Sequence, residues 1–244
     1  MIERARLLMV NGNTNGALTE RLQLQAQAFL SPEWHTTALT ALYGADYISD
    51  RESAAIAAHA IIDTVKAHLA EDTRRYDACL LACFGEPGIG AVKEVFDFPV
   101  VGMAEASIVS ALQLGERFAI VTVGERWPGM LRELMRQQRL EDRCSGILSI
   151  PGKALDLAAR PDAARLAVRE LIDKAIESQG ADVIIIGGAA LAGVAPTLQP
   201  HYQVPLVCSL HAGLAQAEAL AGLRRASLVG AAAERAGPHH SCYR

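Results

Sequence analysis

Short apolar runs alternate with longer amphipathic stretches from one end of the chain to the other. Apolar runs of a few residues between turn formers mark buried strands, whereas apolar residues recurring every three or four positions mark helices. The runs predict strands over residues 6–11, 36–42, 78–82, 99–101, 118–123, 146–150, 183–187 and 205–208. Helices are predicted between them, over 17–29, 51–70, 90–96, 107–115, 128–138, 161–179 and 211–223. Pro128 and Pro161 stand at helix starts, where a missing N–H has no intrahelical partner to lose. Strands and helices in alternation predict βα units around mostly parallel sheet, an α/β fold.

The pattern also repeats. Asp77-Ala-Cys-Leu-Leu-Ala-Cys83 falls over Asp182-Val-Ile-Ile-Ile-Gly-Gly188 at an offset of 105 residues. Each copy continues into a Gly/Ala-rich helix start and a short strand opening at Pro99 and at Pro205, where the offset is 106. Arg6-Leu-Leu-Met-Val-Asn-Gly-Asn13 lies over Arg117-Phe-Ala-Ile-Val-Thr-Val-Gly124 at an offset of 111. Two such halves predict two similar Rossmann-like or flavodoxin-like parallel-sheet domains related by a pseudo-two-fold axis. Residues 1–101 with 209–244 are expected to form the first domain and 102–208 the second. In open parallel sheets ligands bind beyond the carboxyl ends of the strands. Residues 11–14, 83–85, 122–125 and 188–190 are therefore expected to meet in one cleft between the halves.

Composition narrows what the cleft can serve. With 244 residues, 51% hydrophobic, 20% charged and a net charge of −4, the chain can bury a sizeable core and is neither disordered nor a basic nucleic-acid binder. Aromatic residues at 5% argue against a base-stacking platform. No apolar stretch approaches the roughly 18 residues of a membrane span, and the N-terminus runs into a strand without a signal-like segment. The expectation is a cytoplasmic protein with no membrane or nucleic-acid partner. Cys79, Cys83, Cys144, Cys208 and Cys242 are odd in number and scattered, which argues for free thiols. Cys79 and Cys83 lack a zinc-ligand spacing, and His239 and His240 lie at the tail, so no metal site is expected. Gly188-Ala-Ala-Leu-Ala-Gly193 reads as a degenerate G-x-A-x-x-G, but no acid follows some twenty residues later, near Cys208, so the dinucleotide fingerprint is incomplete.

Cys83 ends a buried strand and precedes the turn Phe84-Gly85-Glu86-Pro87-Gly88. Backbone N–H donors and a following helix start are expected to favour its thiolate, which can act as base or nucleophile. Cys79, Cys144 and Cys208 read as packing thiols. The loop containing Asn13 and Thr14 offers amide and hydroxyl donors for a carboxylate or imide oxygen, and equally serves as a turn with helix caps. Thr122 closes the equivalent strand of the second half, and Gly188 and Ala189 close the strand that matches the one before Cys83.

Several of these segments together resemble the Asp/Glu racemase superfamily, specifically its hydantoin/allantoin racemase branch, over nearly the whole chain. They are Val10-Asn-Gly-Asn-Thr14, Ala82-Cys-Phe-Gly-Glu-Pro-Gly88, Pro99-Val-Val-Gly-Met-Ala-Glu-Ala106, Phe118-Ala-Ile-Val-Thr122 and Ala181-Asp-Val-Ile-Ile-Ile-Gly-Gly-Ala189. The resemblance implies a cofactor-independent isomerase, homo-oligomeric, with two similar α/β domains and a C-terminal helix returning to the first. It also implies two cysteines on opposite sides of the cleft that remove and return a proton at a carbon next to a carbonyl. Cys83 corresponds to the first, while the second is expected at the position that holds Gly188. Inversion needs a proton-carrying group on each face, so Glu105, His211 and Cys208 are candidate second bases. The alternatives are a single-thiol decarboxylase or lyase, as in the related arylmalonate decarboxylase, or a non-catalytic binder of a hydantoin or small carboxylate. The expected substrate is a small molecule, a hydantoin, an amino acid or a related carboxylate, with Cys83 catalytic. Asn13, Thr14, Phe84, Gly85, Thr122, Gly188 and Ala189 are expected to bind it.

Overall fold

The computed structural model describes residues 4–152 and 160–236. Cys242, His239 and His240 lie outside them. Strands β1 (Ala5–Asn11), β2 (Trp34–Thr40), β3 (Ala78–Leu81) and β4 (Val100–Gly102) form one sheet in the order β2-β1-β3-β4. Strands β5 (Phe118–Val123), β6 (Cys144–Ile150), β7 (Val183–Ile186) and β8 (Leu206–Cys208) form a second sheet in the same relative order, β6-β5-β7-β8. Every pairing is parallel. The central strands β1 and β5 are buried along their entire length. Helices cover both faces of a parallel sheet, which is why these strands read as nearly continuous apolar runs, over residues 7–10 and 118–121.

The helices are α1 (Gly16–Phe29), α2 (Arg51–Glu71), α3 (Ile89–Val95), α4 (Met103–Leu114), α5 (Trp127–Gln138), α6 (Pro161–Gln179), α7 (Val194–Leu198) and α8 (Ser209–Ala236). Successive side chains of β1 point to opposite faces. Leu7 and Met9 join a core that is continuous through both sheets, whereas Leu8 and Val10 join a smaller core with Ile61 and Val65 of α2. Two helices tie the halves together. Helix α4 leaves β4 and packs on β5, β7 and β8, and α8 leaves β8 and returns to β3 and β4. On α8, a Cβ at Gly213 would lie 2.7 Å from Leu80 of β3. His211 stacks on Phe29 of α1 at 4.4 Å, and Arg225 pairs with Asp77 at 3.1 Å. No helix among the described residues is long and apolar enough to cross a membrane.

Each predicted strand is present within two residues of its expected bounds. Three helical details differ. Helix α4 starts at Met103, four residues before the predicted 107, because its cap comes from a distant side chain described below. Helix α8 continues well past residue 223, since Arg224-Arg225-Ala226-Ser227 contains no breaker. The five-residue α7 follows Gly193 and was not expected.

Leu80 is fully buried where α8 meets β3. Leu80→Ala is expected to lower stability by about 2–5 kcal/mol, as for other buried leucines. Urea denaturation followed by circular dichroism checks this, and an unchanged midpoint would contradict the tight docking of α8.

Candidate active site

The carboxyl ends of the strands in both sheets converge on one cavity. With the open solvent at its mouth it spans about 490 Å3 of space free of protein atoms. Asn13 follows β1, Tyr47 and Ile48 follow β2, and Ala82, Cys83 and Phe84 follow β3. From the second sheet come Thr122, Val123 and Trp127 around the end of β5, and residues 187–191 after β7. Leu18 of α1 completes the wall.

Two aromatic rings close the halves onto each other. Phe84 of the first half lies so tightly on Gly187 of the second that a Cβ there would collide with the ring. In the opposite direction, Trp127 of the second half lies on Gly85 of the first, where a Cβ would again collide. Trp127 also hydrogen-bonds Tyr47, whose hydroxyl donates to the Val123 carbonyl at 3.4 Å. Across the same seam, Arg21 of α1 donates to the carbonyls of Ala189 and Ala190 at 3.2 and 3.3 Å, and Gln25 donates to that of Ala192 at 3.2 Å.

The loop after β1 is held by its own amides. Asn13 Oδ1 accepts from Asn11 Nδ2 at 2.8 Å and from the Asn15 N–H at 3.0 Å. With that oxygen committed, the Nδ2 amide is the Asn13 group left to donate to a ligand. After β7, the N–H of Gly188 donates to Ser209 Oγ at 3.4 Å. The N–H groups of Ala189 and Ala190 open the 3-10 turn Ala189–Leu191, whose first donors have no partner inside the turn. The cavity thus offers an amide and a pair of peptide donors to a carbonyl or imide oxygen.

Cys83 is 8% exposed. Burial pushes its thiol up to about 11, opposed by the N–H of Gly85 and reinforced by the nearby Glu86 charge, with the Glu86 N–H opposing in turn. This corrects the expectation of a favoured thiolate. The backbone donors are present, but burial and a neighbouring carboxylate outweigh them. Helix α3 contributes little, because it begins only at Ile89 and has seven residues. The consequence is a thiol that is rarely ionised at neutral pH and strongly basic when it is.

Of the residues expected to bind, the structure brings Asn13, Phe84, Thr122, Gly188 and Ala189 to the cavity with Cys83. Thr14 is exposed and turned away, its N–H donating to the Ala45 carbonyl at 3.0 Å. Gly85 reaches Cys83 through its N–H but lines an outer groove. None of the three candidate second bases reaches the cavity. Glu105 pairs with Lys93 at 2.6 Å on the surface, and Cys208 and His211 line a separate groove beside Leu114. Facing Cys83's half, Gly188 leaves room for a side chain, the nearest atom to a Cβ there being Thr122 Oγ1 at 3.7 Å. Tyr47, Ile48 and Trp127 were missed, although the rule that ligands sit at carboxyl strand ends, applied to β2, points to the first two.

The sequence model of the Asp/Glu/Hydantoin racemase family matches residues 7–217. A hydantoin racemase of Paenarthrobacter aurescens is 33% identical over 220 residues, covering 89% of this chain and 92% of the relative. The crystal structure of an allantoin racemase from Pseudomonas fluorescens is similar with a TM-score of 0.85 at 30% identity, covering 89% of this chain and 91% of that one. A liganded variant of arylmalonate decarboxylase, with one glycine changed to cysteine and one cysteine to serine, shares the fold at a TM-score of 0.66 and 18% identity over 89% and 93% of the two chains.

The Phe84–Gly187 contact makes Gly187→Ala a test of the seam. The added methyl group collides with the ring and is expected to drive Phe84 into the cavity, weakening ligand binding about tenfold or more while costing about 1–3 kcal/mol of stability. Binding and thermal unfolding measured on the same preparation check this. Unaltered affinity would show that the ring does not shape the cavity.

Proposed function

The chain belongs to the Asp/Glu/hydantoin racemase family, and we propose that it racemises a neutral five-membered cyclic amide carrying an apolar substituent, by proton transfer at the ring carbon next to a carbonyl. The observation that carries this reading is the cavity wall. Among the described residues it holds no Asp, Glu, Lys, Arg or His, and its bulk is Leu18, Ile48, Phe84, Val123, Trp127 and Leu191. A free amino acid brings an ammonium and a carboxylate, and a charge buried without a partner is expensive. A hydantoin ring brings only amide N–H and C=O groups, which match Asn13 Nδ2 and the peptide donors of Ala189 and Ala190.

In this reading Cys83 exchanges the proton on one face of the ring carbon, and inversion requires a carrier on the other; the Thr122 hydroxyl, beside Gly188 on the second half, is the lining group placed to relay that proton. The raised pKa of Cys83 suits a weakly acidic C–H, because a base near 11 takes a carbon-bound proton more readily than one near 8. Donors fixed on the carbonyl oxygen stabilise the enolate-like intermediate, each contributing on the order of 3 kcal/mol. Thr122 and Tyr47 supply the hydroxyls of the lining. A second reading, decarboxylation with one-sided protonation, is favoured by the single thiol in that lining. The same uncharged wall counts against it, since a malonate brings two carboxylates.

Optical rotation and CO2 release, followed for 5-benzylhydantoin, allantoin, glutamate and phenylmalonate, test the reading. Loss of rotation is expected for benzylhydantoin first. Racemisation of glutamate with an inert hydantoin would overturn the substrate class, and CO2 from phenylmalonate would establish the second reading. With a thiolate as base, kcat/KM is expected to rise about tenfold per pH unit between pH 8 and 10 and to level near 11. A flat profile would exclude Cys83 as the base. Gly188 holds φ +121, so Gly188→Cys is expected to cost about 1–3 kcal/mol of stability. By placing a thiol on the second half it is expected to raise racemisation at least several-fold, and no gain would show that the second proton carrier is not limiting.

A further inference from the structure

Glu86 lies three residues past Cys83 and is 3% exposed, the one buried carboxylate among the described residues. It holds φ +49, a left-handed conformation that a residue with a side chain adopts at a cost. Its Oε1 accepts the N–H of Glu105 at 2.6 Å, and the N–H of Ala104 also bonds its carboxyl group. These are the first donors of α4, whose cap residue, Gly102, has no side chain to offer. A Cβ at Gly102 would collide with the Glu86 carboxylate. Glu86 thus caps α4 from another loop; its own N–H donates to the Cys83 carbonyl at 3.1 Å and, with that of Gly85, lies near the Cys83 sulfur. The second carboxyl oxygen, Oε2, is buried without a hydrogen-bond partner.

We propose that Glu86 is the positioning residue of Cys83: its carboxyl, clamped on α4, fixes the turn that holds the sulfur, and its charge state governs how readily the thiol loses its proton. The proposal rests on Cys83 being the proton-transfer group of the preceding reading. The charged groups around Glu86 are Lys93 of α3, Glu105 of α4, paired with each other at 2.6 Å, and the Arg51–Glu133 pair across the outer groove. Burial lifts Glu86 to about 7, opposed by the Glu105 N–H and reinforced by the Glu105 charge, while the Ala104 N–H and Lys93 oppose. Because Oε1 accepts the Glu105 N–H and Oε2 has no partner, Oε2 is the oxygen left to carry the proton. Below about pH 7 Glu86 is neutral and Cys83 ionises against burial alone. Above it, a carboxylate repels the forming thiolate, so rising pH both promotes and restrains the same ionisation.

The test is the pH dependence of iodoacetamide alkylation at Cys83, quantified on its peptide by mass spectrometry. It reads the thiol without any substrate, so its failure is distinguishable from failure of the racemase reading. In the natural protein, log rate against pH is expected to bend to a shallower slope near 7. In Glu86→Gln the amide oxygen still caps α4, the bend disappears, and alkylation at pH 8–9 is roughly three- to tenfold faster, as a like charge worth half to one pKa unit requires. In Lys93→Gln the bend is expected to move to higher pH. Superimposable curves for the natural protein and Glu86→Gln would overturn the proposal. Should Glu86→Gln not fold, an unmoved bend in Lys93→Gln would do so.

Discussion

Two aromatic rings packed on two glycines, in opposite directions across one seam, set the distance between the halves. Phe84 on Gly187 and Trp127 on Gly85 leave no room for a Cβ on either glycine. The carboxyl ends of two independent parallel sheets are thereby pressed together, and the space between them becomes a walled cavity rather than an open cleft. The exchange of α4 and α8 between the halves makes the arrangement rigid, because each helix leaves one sheet and packs on the other. The hydrogen bonds from Arg21 and Gln25 to the loop after β7 add direction to what the rings supply in area.

That closure decides the chemistry of the cavity. Burial raises the cost of each charge, so Cys83 and Glu86 both move toward their neutral forms. In the proposed reaction the same burial strengthens the donors of Asn13, Ala189 and Ala190 toward a developing oxyanion. A site with one buried thiol, neutral donors and apolar walls suits proton movement on a neutral ring and is poorly suited to a zwitterion. Function in this account follows from burial first and from individual residues second.

Much of the fold was legible in the chain because β1, β3, β5 and β7 are buried on both faces and are apolar but for Arg6, Asn11 and Thr122. The strand-end rule then located Asn13, Cys83, Thr122 and Gly188 from sequence. What was not legible depends on contacts between distant residues. The start of α4 was misjudged because its cap, Glu86, sits in another loop. Thr14 follows Asn13 directly, yet the Asn13 side-chain bonds turn the chain so that Thr14 points outward. The ionisation of Cys83 was misjudged because a motif shows the donors after a strand and does not show how deeply the sulfur is covered. Trp127 became part of the site only through a glycine in the other half.

The central claim is that Cys83 moves the proton, and one measurement bears on it directly. A single enantiomer of a neutral hydantoin with an apolar substituent, followed in D2O by proton NMR and polarimetry, is compared between the natural protein and Cys83→Ser. The account predicts that the natural protein exchanges the α-proton and removes the optical rotation, while the serine variant, with the same circular dichroism and melting temperature, does neither. Exchange at the natural rate in the serine variant would contradict it.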